Sequence, residues 1–311
     1  MRKAAAISVV SLLAIFAGAT GVASLAKGLT NSESSSGSCR GAAAMLDPGR
    51  CATGSLAVTP NPSSEPSSLR GPARNRQYCR GGLKTNRGLP QVCSLGVPAA
   101  KAKRQIAVIG DSHAAQWRPA LDRVGRQRGW NLLSTTASEC DFGGPTSPSR
   151  SCAAWQKAVV RWLERHRGID TVIVGQVAKR DRKAPARYRR AWEKLPPSVE
   201  RILVLRDTPV SRPEVRSCVS NAVSQRRSPG AACAAQRSEA LRKDGAVLAV
   251  KSVGAPRAHA IDMSRFFCNS RRCFPVIGGV LVYADGSHMT PRFNLTLAPY
   301  LSSDLSRVNE N

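Results

Sequence analysis

A chain of 311 residues, 42% hydrophobic and 5% aromatic, can bury one α/β core built mainly from Ala, Val, Leu and Ile, which excludes a wholly disordered protein. Its 47 Lys and Arg against 20 Asp and Glu give a formal charge of +27, which favours anionic surroundings such as lipid headgroups or acidic wall polymers. The basic residues are scattered without interleaved aromatics, which argues against nucleic acid; ten cysteines with no Cys-x-x-Cys and no nearby histidines argue against a metal site.

Residues 1–26 read as a signal peptide or membrane anchor. Arg2 and Lys3 precede an apolar run from Ala4 to Ala19, and Ser24-Leu25-Ala26 fits a small-x-small cleavage site. Export permits disulfides, and pairing neighbours along the chain gives Cys39–Cys51, Cys79–Cys93, Cys140–Cys152, Cys218–Cys233 and Cys268–Cys273. Residues 27–103 carry Ser34-Ser35-Ser36 and Thr59-Pro60-Asn61-Pro62, and read as a Ser/Pro/Gly-rich linker stapled by the first two bridges.

Residues 104–311 form the expected domain. Apolar strands are expected at Ile106–Ile109, Trp130–Thr135, Thr171–Gly175, Arg201–Leu205 and Ala258–Asp262. Helices are expected near Ala114–Arg128, Ala153–His166, Ala186–Lys194, Ala234–Val250 and Pro291–Leu305. Such alternation implies right-handed crossovers and a parallel sheet. The fold class is therefore α/β: a three-layer α/β/α sandwich with a five-stranded flavodoxin-like sheet in the order 2-1-3-4-5.

Gly110 ends the first strand, and Asp111 and Ser112 are helix-capping types. Ser112 then sits on a strand-to-helix turn at the carboxyl edge of the sheet, where such folds bind ligands. Helix-start N–H groups there suit an oxyanion. Far along the chain, Asp285 and His288 fall in the loop before a helix capped by Thr290 and opened by Pro291. The Asp-Gly-Ser-His spacing lets a carboxylate reach the imidazole. Ser112, His288 and Asp285 thus have the residue types of a nucleophile, its base and the orienter of that base.

His113 is expected to point away from the hydroxyl, Asp111 to be structural, His166 to be a solvated cap, and His259 to lie on a strand or the surface. Ser112-His113-Ala114 after Gly110-Asp111, then Trp117, Pro119-Ala120-Leu121, Asp207-Thr208-Pro209, Cys268, Cys273-Phe274-Pro275-Val276 and Tyr283-x-Asp285-x-x-His288-Met289-Thr290 resemble the SGNH (GDSL-like) hydrolase superfamily. The likeness is specifically to the SGNH domain attached to membrane O-acyltransferases of bacterial cell-surface glycans, and runs over roughly residues 105–304.

The resemblance implies the same fold and a Ser112–His288–Asp285 triad. It also implies an oxyanion hole with a donor after the second strand and an asparagine after the third. No asparagine stands there. The expected donors are the Ser112 N–H, the backbone around Ser138, and the amide of Gln176.

The expected function is an exported serine acyltransferase or esterase that moves or removes O-acyl groups, most simply O-acetyl, on an extracellular glycan. Transfer and hydrolysis stay open. No cofactor is expected. The expected partners are the glycan and a separate multi-pass membrane acyltransferase as acyl donor, with a monomeric chain that is secreted or anchored at the outer face of the cytoplasmic membrane. The rival is a non-catalytic envelope-binding protein that retains the fold.

Overall fold

The computed structural model describes residues 39–51, 57–59, 90–143, 149–252 and 257–309. The expected leader and Cys79 lie outside the described residues. Six strands form one sheet: β1 (Cys93–Gly96), β2 (Arg104–Gly110), β3 (Trp130–Thr136), β4 (Ile169–Gly175), β5 (Arg201–Leu205) and β6 (Ala258–Ile261). Their spatial order is β1-β3-β2-β4-β5-β6. The five parallel strands follow the expected 2-1-3-4-5 order. The correction is β1, an antiparallel sixth strand drawn from the stretch read as linker, which pairs Cys93 with Ser134 and Gly96 with Asn131.

β2 is the central strand because both of its faces are covered. Ile106 and Val108 enter one apolar layer, whereas Ala107 and Ile109 enter the other. All four are fully buried. Burying a side chain the size of Ile or Val contributes about 1.5–3 kcal/mol, and Ile106, Val108 and Ile109 are three such positions around the smaller Ala107. The first layer is closed by α2 (Arg118–Arg128), α5 (Val215–Ser224) and α7 (Pro291–Asn309), through Leu121, Val124, Val219, Phe293, Leu297 and Leu301. The second is closed by α3 (Arg150–Arg165), α4 (Ala184–Glu193) and α6 (Gly245–Lys251), through Val159, Trp162, Tyr188, Trp192 and Ala249.

Two expected helices differ from the structure. The helix after β2 is split into α1 (Ser112–Ala115) and α2, because Pro119 has no N–H to carry one helix through. The long helix expected over Ala234–Val250 is broken into a two-residue strand at Ala235–Gln236, a short helix at Arg237–Ala240, and α6. Asp244 restarts the helix by accepting the N–H groups of Ala246 and Val247. Gly245 fits only without a side chain: a β-carbon there would lie 2.6 Å from that of Ala184. α5, which the sequence reading missed, is rich in Ser and β-branched residues and has weak intrinsic propensity.

Parts of residues 27–103 pack on the domain. The 3₁₀ turn Gly41–Met45 docks through Gly41 N–H on the Gly278 carbonyl (3.1 Å) and Ala42 N–H on Thr296 Oγ1 (3.0 Å). Thr59 pairs with Val280. The bridges Cys39–Cys51, Cys140–Cys152, Cys218–Cys233 and Cys268–Cys273 are formed as expected.

Candidate active site

The parallel strands β3, β2 and β4 end side by side, with Gly110 in register with Thr136 and Gly175. Gly110 has φ +141°, and a β-carbon there would collide with the Gly175 carbonyl oxygen. Only glycine brings the chain this sharply from β2 into α1. Asp111 caps the turn: its Oδ1 accepts the His113 N–H at 2.7 Å and its Oδ2 accepts the Val177 N–H at 3.0 Å. These bonds tie the Ser112 turn to the loop after β4. Ser112 opens α1, so its N–H is one that helix geometry leaves without an intrahelical acceptor.

The loop before α7 brings the partners. His288 Nε2 lies 3.0 Å from Ser112 Oγ, and His288 Nδ1 lies 2.8 Å from Asp285 Oδ2. Asp285 Oδ1 also accepts the N–H groups of Ser287 and His288, both at 2.8 Å. Partial burial opposes its charge, but these bonds outweigh it and hold the carboxyl down to about 2. The three expected residues therefore make one continuous hydrogen-bonded chain.

His113 makes no hydrogen bond to the Ser112 hydroxyl among the described residues, and its ring packs beside that of His288, with ring centroids 4.7 Å apart. Its Nδ1 lies 2.6 Å from Asp207 Oδ1. Burial pushes this imidazole down, but the charge and hydrogen bond of Asp207 more than reverse it, with Asp111 and Asp285 adding to the rise. Sequence reasoning noted Asp207-Thr208-Pro209 without giving it work; a carboxylate at the carboxyl end of a parallel strand was the available signal.

Gln116 was missed as well. Its Oε1 accepts the Met289 N–H at 2.7 Å and its Nε2 reaches Thr208 Oγ1 at 3.4 Å. Thr208 in turn donates to the Ser287 carbonyl at 3.3 Å. The loop bearing His288 is thus clamped from the side of the Ser112 turn.

The expected oxyanion donors are placed unequally. The loop after β3 lies at the same sheet edge as Ser112, since the Ala137 N–H donates to the Gly110 carbonyl at 3.0 Å. Ser138 is exposed in that loop. Gln176 is buried, with neither amide atom hydrogen-bonded among the described residues. Neither Ser138 nor Gln176 hydrogen-bonds to the Ser112 side chain among the described residues.

Two further charges sit at this edge. Asp141, next to Cys140, lies 3.5 Å from Lys179, and burial together with Asp111 pushes its carboxyl up to about 6 against the pull of that lysine. Arg118 is buried between Ser134 Oγ (3.0 Å) and Thr136 Oγ1 (2.8 Å), and burial pushes its guanidinium down to about 10. His166 caps a helix end, with its Nδ1 2.7 Å from the Trp162 carbonyl. His259 lies on β6. Among the described residues, no group of His, Cys, Asp and Glu is arranged to hold a metal ion.

The model of the SGNH domain (fused to AT3 domains) matches residues 78–303. The chain belongs to this SGNH family. Its fold is similar to the periplasmic domain of the lipopolysaccharide acetyltransferase of Salmonella ser. Paratyphi A, with a TM-score of 0.53 and 14% identity over 68% of this chain and 90% of that one. No curated protein matches this SGNH chain. The family match starts upstream of β1, in agreement with the extra strand belonging to the domain. Among the described residues, no helix of the SGNH chain is long and apolar enough to cross a membrane.

Proposed function

We propose that this SGNH domain is an extracytoplasmic serine enzyme that carries an O-acyl group, most simply O-acetyl, on Ser112 and passes it to or from a cell-envelope glycan. The observation that carries this reading is the unbroken run from Ser112 Oγ through His288 to Asp285. His288 Nε2 takes the hydroxyl proton as Ser112 Oγ attacks the ester carbonyl, and returns it to the departing alcohol. In the second half, the same nitrogen takes a proton from a sugar hydroxyl or from water as that oxygen attacks the acyl carbon, and hands it to Ser112 Oγ as the acyl–serine bond breaks. The family's AT3 association makes a membrane acyltransferase the natural acyl donor. Four formed disulfides fit an oxidising compartment.

Labelling with a serine-reactive fluorophosphonate, followed by assay on an acetylated glycan with and without acceptor, tests the reading. Labelling at Ser112 and acetyl movement are expected. An unlabelled, folded protein that still binds the glycan would instead identify a binding module.

The Cys140–Cys152 bridge belongs to this reading. It closes the loop after β3 onto the start of α3, where Ser149 Oγ accepts the Cys152 N–H at 3.2 Å. An oxyanion donor in that loop must be fixed in advance to be worth its ~3 kcal/mol. Replacing both cysteines with Ser is expected to lower kcat by ten- to a hundred-fold, measured well below the melting temperature. The bridge's own share of stability is about 3 kcal/mol. An unchanged kcat alongside a lowered melting temperature would make the bridge purely structural.

A further inference from the structure

His113 and Asp207 stand outside the relay just described, yet they are sealed against it. Each side chain is 4% exposed, compared with 20% for His288 and 42% for Asp285. The outer half of the relay is therefore open to water, which weakens a carboxylate–imidazole contact as an orienting device. The inner half is not. The His113 ring lies 4.7 Å from that of His288 and is tilted by 52° to it.

His113 is also the covalent neighbour of Ser112 on the same turn. The surface against which the base rests thus moves with the nucleophile. That surface is anchored from two directions. Asp207 Oδ1 meets His113 Nδ1 and also accepts the Thr208 N–H at 2.8 Å, while Oδ2 accepts the Ala178 N–H at 2.8 Å. Asp244, at the head of α6, accepts the Asp207 N–H at 3.0 Å.

We propose that His113 and Asp207 form a second orienting pair for the general base: His113 is a positioning residue that fixes the ring plane of His288, so that Nε2 stays on the Ser112 hydroxyl while Asp285 selects the tautomer. This rests on the reading of Ser112 as nucleophile and His288 as base. The charged and titratable groups facing His113 are Asp207 from the loop after β5, Asp111 at the head of its own turn, and Asp285 with His288 from the loop before α7. Asp207 raises the imidazole above its ordinary value. His113 is therefore fully protonated below the ordinary imidazole range, and loses its proton only as pH climbs through the raised value.

The test uses the full chain and a fluorophosphonate probe, whose reaction needs the serine and its base but no glycan. His113→Gln removes the ring, and Asp207→Asn removes the charge that anchors it. Both are expected to slow labelling by about ten- to a hundred-fold, the scale of a small misplacement in a reacting pair. In acyl transfer the same loss is expected in kcat, with KM changed by less than about twofold. The wild-type labelling rate is expected to change again as His113 gives up its proton, and this limb should vanish in His113→Gln. The double variant His113→Phe with Asp207→Asn restores a flat ring without a buried unpaired carboxylate, and should recover much of the rate but not the limb.

Wild-type labelling rates and an unchanged pH profile in both single variants overturn the proposal. So does a loss that merely tracks the fall in melting temperature. A wild-type protein that does not label at all overturns the nucleophile reading and this proposal with it, whereas labelling that is insensitive to both variants overturns this proposal alone.

Discussion

Ser112→Ala is expected to abolish acyl transfer while leaving the protein folded. Removing the serine of an ordered triad costs about 10⁶ in kcat, because base and orienter then have no nucleophile to act on. Stability should barely move. Among the described residues, the Ser112 side chain makes one hydrogen bond, to His288 at 3.0 Å, and such a bond contributes about 0.5–1.5 kcal/mol net. The turn itself is held by Asp111 and by the close approach at Gly110, both untouched. The measurement is steady-state transfer of an activated acetyl ester to a glycan acceptor, with a melting curve on the same preparation. Near wild-type turnover in the variant would end the mechanism.

Asp285→Asn is expected to cost about 10⁴ in kcat, by a route that the local hydrogen bonds dictate. Asp285 Oδ1 accepts two backbone N–H groups, from Ser287 and His288. An amide introduced there keeps its oxygen on those donors and turns its NH₂ toward His288 Nδ1. That nitrogen must then accept, so the ring proton moves to Nε2 and faces Ser112. The base is blocked while the loop keeps its shape. The carboxyl of the native residue is held down to about 2, so its pairing is present above the ordinary carboxylate range and is lost only as pH falls toward that value. A kcat within tenfold of wild type in Asp285→Asn would show that the tautomer is set elsewhere.

The five parallel strands and both ends of the relay were legible because they rest on local rules. Ile106–Ile109 reads as a short buried strand beside its Gly110 stop, and Thr290-Pro291 announces a helix start at which the preceding loop must turn. The contact of His113 with Asp207 was not legible. The two lie 94 residues apart, and nothing in a single sequence pairs them. Gln116 and Met289 meet for the same non-local reason, across 173 residues. The break of the Ala234–Val250 helix was missed because apolar periodicity outweighed the Asp244-Gly245 restart signal. β1 was missed because four residues among Pro, Gly and Ser give almost no alternation to read.

That short strand has a consequence for where this protein can safely be cut. Without β1, β3 would be the outer strand of a parallel sheet, presenting a row of unpaired N–H and C=O groups to any neighbouring chain. β1 covers that row and is locked on by the Asn131 amide, which donates to Ser94 Oγ at 2.7 Å and to the Val97 carbonyl at 2.8 Å. β1 itself stops after four residues at Gly96, with φ +77°, too short an edge to recruit a partner. A chain begun at residue 104, where composition places the domain boundary, would keep its relay and lose this guard. It would expose β3 as a template on which copies can pair edge to edge and aggregate, so its failure in solution would carry no information about catalysis.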